Sequence, residues 1–224
     1  KEHNLDNAVL YGGFNYGLSI DRMVERNLAY SGYSSAFRGY RGDGGTQPWA
    51  PLSGSMQEVN NIKNILQKKG IAVSTRTGDT ATEEDFKSLR TANPQIIHIA
   101  THGFYWTESE VRNDRDLREL SFVDREDAPR YVEDKAMTRS GLLFAGANHI
   151  LSGQPVPDGC DDGILTAKEI STLDLRGLDL LVLSACQTGL GEIKGDGVYG
   201  LQRGFKMAGA QTIVMSLWKV DDDA

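Results

Sequence analysis

The chain has 224 residues, of which 39% are hydrophobic and 25% charged, and its formal net charge is −7. That is room for one α/β domain with a real core, and the acidic balance disfavours a phosphate-backbone partner, so no nucleic acid is expected. No apolar run approaches the roughly 18 residues of a membrane span, and no signal peptide opens the chain, so no membrane partner is expected either.

The cysteines are Cys160 and Cys186. Two thiols in a chain of this length make no disulfide framework, and neither sits in a CxxC or beside paired histidines, so a structural zinc site is not expected. The reading is a cytoplasmic, reducing setting with no metal and no other cofactor. The first residue is Lys1, which suggests a piece excised from a longer protein.

In chain order, Ala8 to Tyr16 reads as a short buried strand ending in a Gly-Gly turn. Residues 18–50 show no apolar period and are expected to form a long loop. Met56, Val59, Ile62, Ile65 and Leu66 share one helical face, and Gly70 ends that helix. A strand follows over Ile71 to Thr75, then a turn at Gly78-Asp79. Thr82 caps a second helix whose first turn is acidic, as the helix dipole prefers.

Asn93-Pro94 ends that helix and launches Gln95 to Ala100, apolar on both faces as a central parallel strand should be. Residues 105–137 form a second charged, non-periodic loop. Gly141 to Ala145 reads as a short strand, and Thr166 as the N-cap of a short helix. Leu178 to Ser184 is the most strand-like stretch of all. A glycine-rich turn, a helix around 197–207 and a strand from Gln211 to Leu217 complete the pattern. Strands alternating with helices at these spacings predict one domain over 1–224, a mostly parallel sheet with helices on both faces.

In such sheets ligands are met beyond the carboxyl ends of the strands. Two of those ends carry reactive residues, His102 with Gly103 and Cys186. A thiol is mostly protonated at neutral pH and needs an imidazole or a helix N-terminus to ionise it. Gly103, having no side chain, can offer its amide, with that of Cys186, to a developing oxyanion. The plainer alternative is that a cysteine at a strand end is a small buried hydrophobe. His98, within the strand, is expected to pack in the core. Cys160 lies beside Asp161 and Asp162, whose charges would raise its pKa, the wrong direction for a nucleophile. The cluster Gly189, Gly191, Gly195 loosely suggests a phosphate or dinucleotide loop, but its spacing is GxGxxxG and it follows a late strand.

Five ordered segments resemble the CHAT family: Ile97–Phe104, Arg139–Asn148, Asp162–Ile170, Leu183–Gly191 and Ser216–Asp222. These are caspase-related domains, akin to separase and gingipains, often found behind TPR repeats. The resemblance implies a caspase–haemoglobinase-like fold and a cysteine endopeptidase that acts on a protein or peptide substrate through an acyl-enzyme. In that reading Cys186 is the nucleophile, His102 the general base and Gly103 the oxyanion-hole position. It also implies a regulatory sensor module such as TPR repeats, and a signalling or bacterial-type immune role.

The stretch Trp218, Lys219, Asp222 matches the segment that helps form the substrate pocket. Asp222 would favour a basic residue before the scissile bond, and Lys219 an acidic one. Family members usually continue beyond this stretch, whereas the sequence stops at Ala224, so a second chain completing the fold is one of the expectations. A catalytically silent scaffold on the same fold is the alternative function.

Overall fold

The computed structural model describes residues 5–30, 48–105, 135–152, 154–186 and 196–215. Among the described residues seven strands form the framework: β1 (Asn7–Phe14), β2 (Ala72–Gly78), β3 (Ile96–Tyr105), β4 (Ser140–Leu143), β5 (Ile164–Thr166), β6 (Leu180–Cys186) and β7 (Thr212–Met215). Around them lie helices α1 (Ile20–Leu28), α2 (Ser55–Lys68), α3 (Glu83–Ala92), α4 (Lys135–Arg139), α5 (Ala147–Leu151), α6 (Ala167–Ile170) and α7 (Asp196–Ala208).

Five strands run parallel in the order β2-β1-β3-β6-β7. At its carboxyl end β3 outruns β1 and pairs instead with β4, antiparallel, through Gly103, Phe104 and Tyr105. β4 then pairs with β5, also antiparallel. The expected mostly parallel α/β sheet is present, with an antiparallel extension at the edge where β1 leaves off.

Strand alternation divides the core into two faces. Ala8, Leu10 and Ile96 pack with Val59 of α2 on one face. On the other, Val9, Tyr11, Ile97, Ile99, Leu181 and Leu183 pack with Phe86 and Leu89 of α3, Phe144, and Leu201 and Phe205 of α7. Tyr11, Phe86 and Phe144 meet edge-on or tilted at centroid distances of 5.5 to 6.0 Å, a geometry that adds to the area they bury.

The helix signals hold locally. Thr82 Oγ1 accepts from the Asp85 N–H at 3.2 Å. Asn93 closes α3 in the left-handed region at φ 44°. Thr166 and Glu169 form a reciprocal capping box on α6. Gly141 has a packing reason, since a Cβ there would lie 2.4 Å from the Leu165 carbonyl oxygen and 2.5 Å from the Phe104 ring. The expected loop over 18–50 is wrong in part, because residues 20–28 are helical. Most of the second loop, 105–137, lies outside the described residues, but its end is helical in α4.

Two buried polar clusters pin the layers together. Asp85 accepts from the Tyr11 hydroxyl at 2.5 Å, the Tyr30 hydroxyl at 2.6 Å and Arg76 Nε at 2.8 Å, joining β1, β2, α3 and the turn after α1. Burial and then the charge of Asp85 push the Tyr11 phenol well above its usual range. In the second cluster Lys87 Nζ lies 2.5 Å from Glu83, 3.0 Å from Asp161 and 3.4 Å from Glu169. Glu83 and Glu84 also accept the backbone N–H groups of Gly163 and Asp161, both at 2.9 Å. The acids expected to serve the α3 dipole instead face inward and tie α3 to the loop before β5.

Candidate active site

The ladder between β3 and β6 runs in register from Ile96↔Leu180 to His102↔Cys186. Register partners of a parallel ladder share a face of the sheet and neighbour each other across one strand spacing, about 4.8 Å. The two residues singled out in the sequence are therefore the last rung of the ladder, at the carboxyl edge where open α/β sheets meet ligands. This rung depends on β3 being long, since its pairing with β1 ends at Ile99.

Where β1 leaves, β3 needs other hydrogen-bond partners, and a short chain of hydroxyls supplies them. Thr101 Oγ1 donates to the Leu143 carbonyl at 2.6 Å. That uses its one proton, so in the 2.9 Å contact with Thr101 the Tyr16 hydroxyl is the donor. The Tyr16 oxygen in turn accepts the His102 N–H at 3.4 Å. The backbone of His102 is thus tied through Tyr16 and Thr101 to β4.

The imidazole is 5% exposed and lies against two rings, with Trp49 at 4.7 Å and Tyr16 at 5.2 Å between centroids. Its Nε2 is 2.8 Å from the carbonyl oxygen of Ala50. A carbonyl can only accept, so Nε2 carries the proton, and in the neutral ring Nδ1 is the nitrogen whose lone pair can take one. This arrangement leaves the ring one defined basic atom.

Gly103 sits at the first antiparallel rung, opposite Leu142. A Cβ there would meet Ala185 Cβ at 3.6 Å and the Gly141 oxygen at 3.7 Å, ordinary contact distances. Its φ lies outside the left-handed region, so neither crowding nor backbone conformation demands glycine at this position.

His98, four residues earlier, is buried as expected. Its Nε2 comes within 3.2 Å of Glu58 Oε1 on α2, close enough for an ion pair but not aligned for a hydrogen bond. Burial pushes the Glu58 carboxyl up, and His98 together with Ser184 outweighs that to hold it below its usual range. His149 bonds to Gln154 Oε1 at 2.7 Å and the Leu18 carbonyl at 2.5 Å. Cys160 is buried with Leu18, Met23, Ala145 and Val156.

Trp218, Lys219 and Asp222, and the glycine cluster 189–195, lie outside the described residues. Among the described residues no group of three or more His, Cys, Asp or Glu side chains is arranged to hold a metal. No described helix is long and apolar enough to cross a membrane.

Sequence reasoning missed four contributors: Tyr16, Trp49, Ala50 and Asn148. Asn148 closes one of the segments already noted, but nothing in its chemistry ties it to His102. Ala50 acts through a main-chain oxygen and has no side-chain signature.

Comparison with known proteins gives a consistent answer. Residues 30–224 match the profile of the CHAT domain. The chain is 43% identical over 185 residues to tetratricopeptide repeat protein 28 of Mus musculus. It is 27% identical over 184 residues to the Homo sapiens protein of the same name. Each match covers 77% of this chain but only 6% of the relative's length. With its mostly parallel sheet and the matched region running over most of its length, the chain belongs to the CHAT domain family, whose fold is caspase-like.

Proposed function

We propose that this domain is a cysteine endopeptidase working through Cys186 and His102. The observation that carries the reading is the register pair His102↔Cys186 at the carboxyl edge of β3 and β6. The Cys186 thiol gives its proton to Nδ1 of His102, and the thiolate attacks the substrate carbonyl carbon. The backbone N–H groups of Gly103 and Cys186 receive the negative charge on the carbonyl oxygen. As the intermediate collapses, the C–N bond breaks and the imidazolium hands its proton to the leaving amine. Water then attacks the acyl-enzyme, with Nδ1 taking its proton, and the thiol is regenerated.

The protonated Nε2 on the Ala50 carbonyl supports this assignment, because it leaves Nδ1 as the base and gives the imidazolium an acceptor as charge develops. Trp218, Lys219 and Asp222 are proposed to line the pocket for the residue before the scissile bond. The names of the relatives support a TPR module as the regulatory partner.

The test compares wild type with Cys186→Ala on peptides carrying Arg, Lys, Asp or Leu before the scissile bond, with iodoacetamide labelling alongside. Cleavage by wild type and its loss in a folded Cys186→Ala variant supports the peptidase. A variant that cleaves as well as wild type refutes it. Partner binding with no cleavage by either protein favours the silent scaffold. A preference other than for Arg or Lys removes the role proposed for Asp222.

A further inference from the structure

The carbonyl that holds His102 belongs to a largely exposed stretch whose half-buried member, Trp49, packs against the core and the imidazole. Ala50 and both flanking prolines, Pro48 and Pro51, are exposed. Prolines have no N–H, so this stretch has few backbone donors with which to tie itself down. Standing before Pro51, Ala50 is biased toward extended conformations, but that bias alone does not aim its oxygen. In water such a carbonyl would be solvated from many directions.

One side chain ties down the backbone of Trp49, the residue before Ala50. Asn148 Oδ1 accepts the Trp49 N–H at 2.8 Å, and Asn148 Nδ2 donates to the Trp49 carbonyl at 3.1 Å. The primary amide thus binds both polar groups of one backbone residue, as a neighbouring strand would. The main chain of Asn148 reaches the other cover of the imidazole, its N–H donating to the Tyr16 carbonyl at 3.0 Å. Asn148 itself is the second residue of α5, two after Gly146, whose N–H donates to the Asn15 carbonyl at 3.1 Å. The two rings in contact with His102, and the carbonyl bonded to its Nε2, all trace back to this one residue.

We infer that Asn148 is a positioning residue. By clamping Trp49 it aims the Ala50 carbonyl at Nε2 and so fixes Nδ1 as the basic nitrogen of His102. The inference rests on the peptidase reading for its catalytic meaning, but the tautomer of His102 is measurable without any substrate. In Asn148→Ala both bonds to Trp49 are lost. In Asn148→Asp the acceptor for the Trp49 N–H remains and the donor to its carbonyl is gone.

The experiment is 15N NMR of the histidine-labelled chain, with kcat and KM measured in parallel on any peptide the wild type cleaves. Wild type should show the Nε2–H tautomer at His102. Asn148→Ala should show a mixture of both tautomers, and kcat should fall about 10- to 100-fold, as misplacing a catalytic group by about 1 Å does. Asn148→Asp should fall between the two.

A folded Asn148→Ala chain that keeps the wild-type tautomer overturns the inference, whatever its kinetics. If Asn148→Ala does not fold, an unchanged tautomer in Asn148→Asp does the same. A wild type that cleaves nothing, combined with a shifted tautomer in the variants, supports the positioning role and refutes the peptidase reading alone.

Discussion

Replacing Lys87 with methionine removes the ammonium from a site crowded with acids. Its Nζ lies 2.5, 3.0 and 3.4 Å from Glu83, Asp161 and Glu169, and all four side chains are at most 7% exposed. Burial alone would lower the lysine's pKa, but the three carboxylates outweigh it and hold the ammonium charged. Asp161 and Glu169 are each pushed up to about 8, by burial first and by the charge of Glu83 second. Asp161 Oδ2 is buried with no hydrogen-bond partner among the described residues, which also favours the neutral acid.

Both carboxyls are raised above the unfolded value of about 4. Their favourable contribution is therefore complete below about pH 4 and is lost as pH climbs through about 8. Removing one partner of a buried ion pair costs about 3–5 kcal/mol. In Lys87→Met the acids can escape by taking up protons, so the penalty should depend strongly on pH. Urea unfolding should find the variant about 3 kcal/mol or more less stable at pH 8. Near pH 5 the gap should narrow to about 1 kcal/mol, the scale of a single neutral hydrogen bond. A gap that stays the same from pH 5 to pH 8 would refute the charge argument, and so would a gap under about 1 kcal/mol at pH 8.

Gly204 offers a contest between two effects. Alanine in a helix interior gains about 1 kcal/mol over glycine, but a Cβ at 204 would sit 2.5 Å from the Ala167 carbonyl oxygen and 3.2 Å from its carbon. α6 is held by its capping box and by Glu169 and cannot readily retreat, so overpacking at about 1–3 kcal/mol should win. Gly204→Ala should lower the melting temperature, and a rise would contradict the reasoning. Tyr11→Phe removes a buried donor to the Asp85 carboxylate and should cost about 1.5–3 kcal/mol in urea unfolding. Tyr30→Phe, at the more exposed bond to the same carboxylate, should cost under about 1 kcal/mol. Equal costs would show that burial does not set the strength of these bonds.

Legibility in the sequence followed the physics of each signal. β3 and β6 were readable because both their faces are covered, so Gln95–Ala100 and Leu178–Ser184 are almost unbroken apolar runs. Thr82 and Thr166 were readable because capping is local chemistry. α1 was not, because Met23 is its one fully buried side chain. Its apolar residues Ile20, Val24 and Leu28 are 37%, 39% and 71% exposed, and the segment runs on into the non-periodic stretch beyond Ser31.

Glu83, Glu84 and Asp85 fit the helix dipole so well that the dipole explained them away. Lys87 is a local partner, four residues after Glu83 on the same helix, but Asp161, Arg76 and Tyr11 come from other elements and meet these acids only through the fold. The register of His102 with Cys186 could be hoped for but not read, since ladder register is a tertiary property. Ala50 left no trace because an alanine carbonyl is indistinguishable from any other.

The last rung of the β3–β6 ladder belongs to two stretches of chain far apart in sequence, fastened sideways by interstrand bonds from Ile96↔Leu180 onward. Residues 106–134 supply none of those rungs. That stretch could lengthen, shrink or be nicked, and the imidazole-bearing and thiol-bearing residues would remain opposite one another so long as both strands stay in the sheet. Evolution is thereby free to remodel residues 106–134 for recognition or restraint without retuning the chemistry.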